Sequence, residues 1–412
     1  MSFSQLPNGA NLDVKPFKAH AEEDQLKHFQ QLLELSPIGP RTYENTIGKY
    51  GVTRDWLEHA KHVWVNEFNW REHEDRINSF PNFKTVVQDS EGNSVTLQFL
   101  ALFSKKTDAI PVMFLHGWPS SILDFLDILT LLQQKYTPET LPYHVIVPSL
   151  PGYGYSSSLP LDTSYSVDLA ASALNSLMVG LGFSAYIAEG GDLGSFLSRR
   201  LAMTYEACIG IHLTQMGLPV DGQLPLEGLE GVKKAADSLN TGFAFLPLQA
   251  TRPATVAHTL GSSPLALLAW IGEKYSDWTD EGFPLEKILE VVTLYWLTDT
   301  IQRSMYHNRT LSSMASHEPI ESNDPPEIAE LRMKLSAMRL PYISKPCGYS
   351  LFAHEIIPVP RNWAELSCNL VSFGQHAHGG HFVAAERPEE LLADVEEYVK
   401  VIRKNHWQVS DS

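Results

Sequence analysis

The stretch AEGGDLGSF, residues 188–196, is the most informative part of this 412-residue sequence. It follows a short apolar run and surrounds Asp192 with small residues, namely Gly190, Gly191, Gly194 and Ser195. Small residues let neighbouring backbone approach a strained turn from strand to helix, the arrangement called a nucleophile elbow. The stretch therefore predicts Asp192 as a nucleophile presented by such a turn. The alternative is a glycine turn in which Asp192 only caps the following helix.

Upstream of this turn, FLHGWPSS at residues 114–121 ends another apolar run with a sharp bend. Backbone N–H groups in such a bend can stabilise an oxyanion, and Trp118 is expected to supply one of them. The N–H of Leu193, directly after the nucleophile, is the second expected donor. The alternative role of His116, in the same bend, is that of a metal ligand.

Downstream, GGHF at residues 379–382 places His381 after a predicted strand and a flexible turn. A loop of this kind can bring the base of a catalytic triad to its nucleophile. The acid that orients the base must lie between the two in the chain. Glu355 fits because it closes a short β-like run, whereas Asp299 and Asp324 fit less well. The alternative for Glu355 is a solvated loop carboxylate.

Three histidines of the same region, His376, His378 and His381, have the spacing HxHxxH, which also suits zinc. The sequence offers no nearby carboxylate and no second histidine pair to complete a ligand set. The strand and loop around His381 already account for it as a base. We therefore expect neither a metal nor a cofactor.

Apolar runs that end in glycine-rich turns recur from about residue 106, as in PVMFLHG and YHVIVPSLPGYG. Such runs are typical of buried parallel strands, and strand–turn–helix repeats predict a mostly parallel, doubly wound α/β sheet. Between residues 216 and 325 the pattern becomes helical, which predicts a lid inserted between two halves of one core, 106–215 and 326–412. Residues 1–105 contain the amphipathic pattern TRDWLEHAKHVWVNEF and are predicted to form an N-terminal arm.

The composition is typical of an acidic enzyme. A formal net charge of −17 without a cluster of Lys and Arg argues against nucleic acid or an anionic membrane as a partner. With 43% hydrophobic residues the chain can build a large core, which excludes global disorder. The sequence shows no signal peptide and no apolar run of roughly 18 residues that would span a bilayer. The three scattered cysteines, Cys208, Cys347 and Cys368, are predicted to be reduced and buried in a cytoplasmic protein.

An aspartate nucleophile restricts the reaction. A serine attacks an acyl carbon, whereas a carboxylate that attacks sp3 carbon opens a strained or activated bond and leaves an alkyl ester. A histidine-activated water then attacks the carbonyl carbon of that ester, and an oxyanion hole stabilises the developing charge. Epoxides and carbon–halogen bonds are the substrates that suit this chemistry.

The sequence resembles the microsomal-type epoxide hydrolases of the α/β-hydrolase fold, and within them the soluble fungal enzymes. The shared stretches cover nearly the whole chain and include PFKAH, Trp56 to Phe83, HGWPSS, PSLPGYGYS, GGDLGS, TRPAT, SPLALLAWIGEKY, PVPRNW and GGHFVAAERP. The resemblance implies Asp192 as nucleophile, Glu355 as its charge partner and His381 as base. It also implies an arm wrapping the lid, no membrane anchor and a homodimer.

The lid departs from the family pattern. The family carries two tyrosines whose phenols bind the epoxide oxygen and protonate the departing alkoxide, and here Phe245 and Asn308 occupy those positions. A phenyl ring donates no proton, and an amide is a hydrogen-bond donor but not an acid at neutral pH. Tyr306 and His307 lie one or two residues away, and Gln249 lies near the first position. A different helical phase would bring Tyr306 into the acid's place.

The sequence thus predicts an epoxide hydrolase that acts on an apolar substrate and has an atypical lid acid, Tyr306 or His307. One alternative keeps the fold but rearranges or cyclises an epoxide or related biosynthetic intermediate without net hydrolysis. Another is dehalogenation, although Leu193 stands where haloalkane dehalogenases place a halide-binding tryptophan. A further alternative is a catalytically silent protein that only binds a ligand.

Overall fold

The structure is a computed structural model that describes residues 2–219, 225, 227–229, 231–233, 236, 242–280, 282–314, 328–329, 331 and 339–405. The rival acid Asp324 and parts of the predicted lid lie outside these described residues.

Eleven strands are described, nine of which form one central sheet. They are β1 (Lys15–Pro16), β2 (Asn82–Gln88), β3 (Ser94–Leu102), β4 (Ile110–Leu115), β5 (Tyr143–Pro148), β6 (Tyr186–Gly190), β7 (Cys208–Leu213), β8 (Leu218–Pro219), β9 (Arg339–Leu340), β10 (Ile343–His354) and β11 (Cys368–Gly380). The order in the main sheet is β1-β2-β3-β5-β4-β6-β7-β10-β11, while β8 and β9 pair separately. Neighbours from β5 to β11 are parallel, which confirms the predicted mostly parallel sheet.

The predicted apolar runs are the central strands. Every residue of β4 and β5 is buried, as expected when helices cover both faces of a parallel sheet. The carboxyl ends of β4, β6 and β10 lead into HGWPSS, GGDLGS and Glu355 respectively. Because these strands are parallel neighbours or near neighbours, the three segments emerge at the same edge of the sheet.

Helices surround this sheet, and those between Phe245 and Met314 lie in the segment predicted as the lid. They are α1 (Glu23–Leu35), α2 (Arg54–Asn66), α3 (Trp70–Asn78), α4 (Leu126–Lys135), α5 (Val167–Gly180), α6 (Asp192–Thr204), α7 (Phe245–Thr251), α8 (Pro253–Leu260), α9 (Pro264–Trp278), α10 (Leu285–Leu297), α11 (Ile301–Ser304), α12 (His307–Met314), α13 (Arg361–Ser367), α14 (Val383–Glu386) and α15 (Pro388–Asn405). Short 3₁₀ turns occur at Glu44–Thr46 and Ile122–Phe125. No described helix is by itself long and apolar enough to cross a bilayer; α8 and α9 meet that criterion only as a pair bent by 116°.

The segment predicted as an arm contributes to the sheet as well as to the surface of the lid. Strands β1, β2 and β3 pair antiparallel and join β5, so the sheet begins well before residue 106, which the apolar patterns did not indicate. The predicted amphipathic helix is α2, whose buried Trp64 donates an Nε1–H bond of 2.9 Å to Thr293 of α10. Gln25 of α1 donates to the carbonyl of Leu297 at 2.7 Å. The arm is thereby fixed to the lid.

Candidate active site

Asp192 lies at the turn between β6 and α6, with a φ of 46°. A left-handed conformation is unusual for a non-glycine residue and is the strain expected of a nucleophile elbow. Gly194 is required here because a Cβ atom at that position would lie 2.1 Å from the Leu115 carbonyl oxygen. The cap of α6 is Gly191, and no side chain accepts a bond there. Asp192 is therefore not a helix cap, and that alternative is wrong.

The bend after β4 holds the Asp192 carboxylate. The backbone N–H of Trp118 donates to Asp192 Oδ1 at 2.7 Å, and a Cβ atom at Gly117 would lie 2.4 Å from that of Asp192. The N–H of Leu193 belongs to the first turn of α6, where backbone donors have no acceptor within the helix. Trp118 and Leu193 are thus available as the two expected oxyanion donors.

His116 lines the small cavity beside Asp192, and both of its ring nitrogens are engaged with backbone groups of neighbouring loops. Its Nε2 accepts the N–H of Leu150 at 3.1 Å, and its Nδ1 lies 3.0 Å from the carbonyl of Gly117. Burial lowers the pKa of His116 to about 4, so the ring is neutral. The alternative of His116 as a metal ligand finds no support in these contacts.

His381 lies between two carboxylates. Its Nδ1 is 2.9 Å from Glu355 Oε1, and its Nε2 is 3.6 Å from Asp192 Oδ2. Glu355 is buried directly after β10 and also accepts the N–H of Ile356 at 2.8 Å, so it is not a solvated loop residue. Asp299 is exposed in the turn after α10, and no contact with His381 is found in the described structure. The predicted Asp192, His381 and Glu355 are therefore brought together.

The charges of this trio depend on each other. Burial disfavours the charged form of His381, but Glu355 and Asp192 outweigh that effect and raise the pKa of His381 to about 10. Burial likewise acts to raise the pKa of Asp192, but the adjacent His381 and the Trp118 N–H bring it below its ordinary value. The resting site is thus an ion pair of Asp192 carboxylate and His381 imidazolium.

The other two histidines of the HxHxxH run point elsewhere. His376 Nε2 lies 2.7 Å from Asp394 Oδ2, and His378 Nδ1 lies 3.4 Å from Asp280 Oδ2. Within the described ranges, no group of three or more His, Cys, Asp or Glu side chains is arranged to hold a metal ion. The three histidines of this run therefore face four carboxylates, those of Asp394, Asp280, Glu355 and Asp192, and do not converge on one point.

Aromatic lid residues cover the trio. The ring of Phe245 stacks on Trp118 with centroids 5.3 Å apart and lies 5.6 Å from Trp278. Trp278 meets the His381 ring edge to face at 5.3 Å, and its carbonyl accepts the His381 backbone N–H at 2.8 Å. Phe245 therefore forms an apolar wall, and Trp278, which sequence reasoning missed, holds His381 in place.

Next to this wall lies an amide pair. Asn308 Nδ2 donates to Gln249 Oε1 at 2.6 Å, and the buried Gln249 Nε2 finds no hydrogen-bond partner among the described residues. Gln249 follows Phe245 by four residues on α7, so both lie on one face of that helix. In the sequence, only its position four residues after Phe245 indicated that Gln249 could belong to the site.

The two remaining acid candidates differ in their surroundings. His307 is buried, its Nδ1 lies 2.7 Å from the Ser304 carbonyl, and burial lowers its pKa despite the nearby Asp192 charge. Neutral His307 therefore carries its proton on Nδ1, directed at Ser304. Tyr306 is half-buried, and its hydroxyl makes no hydrogen bond within the described part of the chain.

A parallel sheet with a strained nucleophile turn after one strand and a base on a loop after another defines an α/β-hydrolase. The family model described as alpha/beta hydrolase fold matches residues 110–210, and that of the epoxide hydrolase N terminus matches residues 14–125. The chain belongs to the epoxide hydrolases and is a hydrolase that acts on ether bonds.

Three relatives illustrate this membership. The structure of Aspergillus niger epoxide hydrolase is 40% identical, with a TM-score of 0.86 over 98% of this chain and 100% of that one. A Dothistroma septosporum protein assigned provisionally to the epoxide hydrolases is 45% identical over 97% of this chain and 93% of its own length. Epoxide hydrolase 1 of Sus scrofa is 29% identical over 95% of this chain and 89% of its own.

Proposed function

We propose that the enzyme opens an apolar epoxide through a covalent alkyl ester on Asp192. Oδ2 attacks a ring carbon, the epoxide C–O bond breaks, and Oδ1 remains on the Trp118 N–H. The placement of His381 between Asp192 and Glu355 is the observation that carries this proposal.

His381 then serves as the base for the second half-reaction. Ester formation removes the Asp192 charge, so one of the two carboxylates that raise the His381 pKa is lost. His381 can now give up its proton, which ends on the alkoxide formed by ring opening, and can then take one from a water that attacks the ester carbonyl. Glu355 keeps the ring oriented, and the N–H groups of Trp118 and Leu193 stabilise the oxyanion.

The lid supplies hydrogen bonds more readily than protons. Asn308 and Gln249 present amide donors, and His307 directs its proton at Ser304. Ring opening is therefore assisted by hydrogen bonding to the alkoxide, with Tyr306 the remaining phenol that a lid movement would bring close. This arrangement suits an epoxide that its own structure activates, such as an allylic one.

The altered lid also favours a second candidate, the rearrangement of an epoxide with no net addition of water. It is supported by the prediction from the family resemblance that Phe245 and Asn308 stand where two phenols are expected. Turnover in isotopically labelled water separates the two reactions. Hydrolysis places the label in Asp192 after one turnover and then in the diol, whereas rearrangement leaves the product unlabelled.

Three substitutions test the covalent route. Asp192→Asn abolishes turnover because an amide oxygen is a far weaker nucleophile, and full activity without deamidation would refute the assignment. His381→Gln permits ester formation but blocks hydrolysis, so mass spectrometry detects an adduct on the Asp192 peptide. Glu355→Gln slows hydrolysis less severely, since it removes only orientation and charge support. Unchanged steady-state turnover in His381→Gln would exclude it as the base.

A further inference from the structure

A small cavity of about 30 Å³ lies beside the nucleophile. The polar side chains among its lining residues include Ser120, Asp124, Glu189, Asp192, Thr214 and His381, besides the ring nitrogens of His116 and Trp118. One buried water needs roughly 10–15 Å³ and two to four polar partners. The cavity therefore has room for one or two waters in contact with Asp192 and His381.

Three buried atoms of residues in this lining have no hydrogen-bond partner within the described residues, namely Trp118 Nε1, Glu189 Oε2 and His381 Nε2. Glu189 is only 1% exposed, and Asp124 is already paired with the Ser120 hydroxyl. A buried carboxylate oxygen is unfavourable unless something donates to it. A water between Glu189 Oε2 and neutral His381 Nε2 would satisfy both atoms.

The sheet fixes the direction of Glu189. Successive strand residues face opposite sides, and the Cβ position of Gly190 points at Gly194 of α6, so Glu189 faces the other side. There it shares a register position with His212 of β7, whose Nδ1 lies 4.0 Å from Glu189 Oε1. His212 Nε2 lies 3.2 Å from Ser350 Oγ, which donates to Asp394 at 2.5 Å. One oxygen of Glu189 is thus directed at His212 and the other is left for the cavity.

From this geometry we propose that Glu189 is a positioning residue for the water that hydrolyses the Asp192 ester. The inference rests on the proposed function, because it presupposes that ester. The water donates one O–H to Glu189 Oε2 and the other to His381 Nε2, which directs an oxygen lone pair at the ester carbonyl carbon.

The bonds and protons of the step balance. The water oxygen bonds to the ester carbon, and one of its protons passes to His381 and then to the departing alkoxide of the diol as the ester C–O bond breaks. The second proton stays on the new Asp192 carboxyl group, from which His381 takes it to restore the ion pair. Glu189 accepts a hydrogen bond throughout and keeps its own protonation state.

The test compares Glu189→Leu and Glu189→Gln with the wild type in single-turnover experiments, with styrene oxide as the probe. Loss of a hydrogen bond to a charged group slows a step by about 10- to 100-fold, so Leu should slow ester hydrolysis by that factor. Gln offers a neutral acceptor, roughly half as strong, and should slow it by about 3- to 10-fold. Ester formation should stay within about twofold in both, and the alkylated fraction of Asp192 at steady state should rise.

Glu290→Gln is the matched control, because Glu290 is also buried beside a histidine, His73, at 3.2 Å but does not line the cavity. It should leave the balance between ester formation and hydrolysis unchanged.

Equal hydrolysis rates in wild type and Glu189→Gln, or a parallel fall of both half-reactions, would overturn the role of Glu189. If Glu189→Leu does not fold, Glu189→Gln alone decides. Absence of any ester in the wild type and in His381→Gln would instead refute the covalent route itself.

Discussion

The ion pair of the resting site leads to a quantitative prediction about His381. Replacing Asp192 by Asn keeps the size of the side chain but removes its charge, as ester formation does in the proposed reaction. The pKa of His381, raised to about 10 by Glu355 and Asp192 against the effect of burial, should therefore fall in Asp192→Asn. The variant is in this respect a stable mimic of the alkylated enzyme.

The size of the fall follows from the distance between the two groups. At the 3.6 Å that separates His381 Nε2 from Asp192 Oδ2, an ion pair contributes roughly 1 kcal/mol in water and roughly 5 kcal/mol at an effective dielectric constant of about 20. These energies correspond to a fall in pKa of about 1 to 3. The His381 pKa in the variant should therefore lie below its value of about 10 by that amount, with Glu355 alone left to support the charge.

An NMR titration of the histidine ring nitrogens measures this directly, with His381→Gln used to assign the signal and mass spectrometry to show that the introduced amide is intact. A His381 that titrates at the same pH in Asp192→Asn and wild type would refute the electrostatic argument. The same loss of charge determines the direction in which ester hydrolysis depends on pH. Below the lowered pKa, His381 stays protonated in the alkyl-enzyme and cannot act as base, so ester hydrolysis should rise with pH and level off above it.

Three further substitutions have expected outcomes. Gly194→Ala forces a Cβ atom against the Leu115 carbonyl and should destabilise the fold by about 1–3 kcal/mol or more, seen as a lower thermal midpoint and lost activity; a variant as stable and active as wild type would contradict the described elbow. Phe245→Tyr combined with Asn308→Tyr should raise ester formation from styrene oxide by up to about 10²- to 10⁴-fold, the usual range for general acid catalysis, and no gain in rapid-quench assays would count against the altered-acid interpretation. Glu386→Gln should slow hydrolysis more than ester formation, because Glu386 accepts the backbone N–H groups on both sides of His381; equal effects on the two half-reactions would speak against it.

The parts of the site that the sequence predicted are those held by local or obligatory contacts. The elbow is encoded within nine residues, since only small side chains fit around Asp192. Asp192, Glu355 and His381 follow strands that end at one edge of the sheet, so the sequence could predict that they lie close together before any distance was known. Apolar runs likewise revealed β4 to β6.

Long-range pairings could not be predicted in this way. Strands β2 and β3 carry mixed patterns, and their place in the sheet depends on antiparallel pairing with β5. In the lid, several helical faces are apolar, so the sequence does not show which side chain reaches the nucleophile. The bond between Asn308 and Gln249 joins residues 59 positions apart. Their partnership depends on how α7 and α12 pack.

The loop that carries His381 is held both by local contacts within the core and by long-range contacts with the lid. The backbone N–H of His381 is held by the Trp278 carbonyl at the end of lid helix α9, and Glu386 accepts the N–H of Asp280 at 2.8 Å as well as those flanking His381. His381 is therefore positioned jointly by the core, through Glu355, and by the predicted lid, through Trp278 and Asp280. Since His381 Nε2 lies 3.6 Å from Asp192 Oδ2, beyond ordinary hydrogen-bond distance, a small displacement of α9 would change how well His381 reaches the proposed ester. Substrate contacts with the lid wall of Phe245 and Trp278 can thus affect hydrolysis as well as binding, which links the apolar lid to the chemistry of the core.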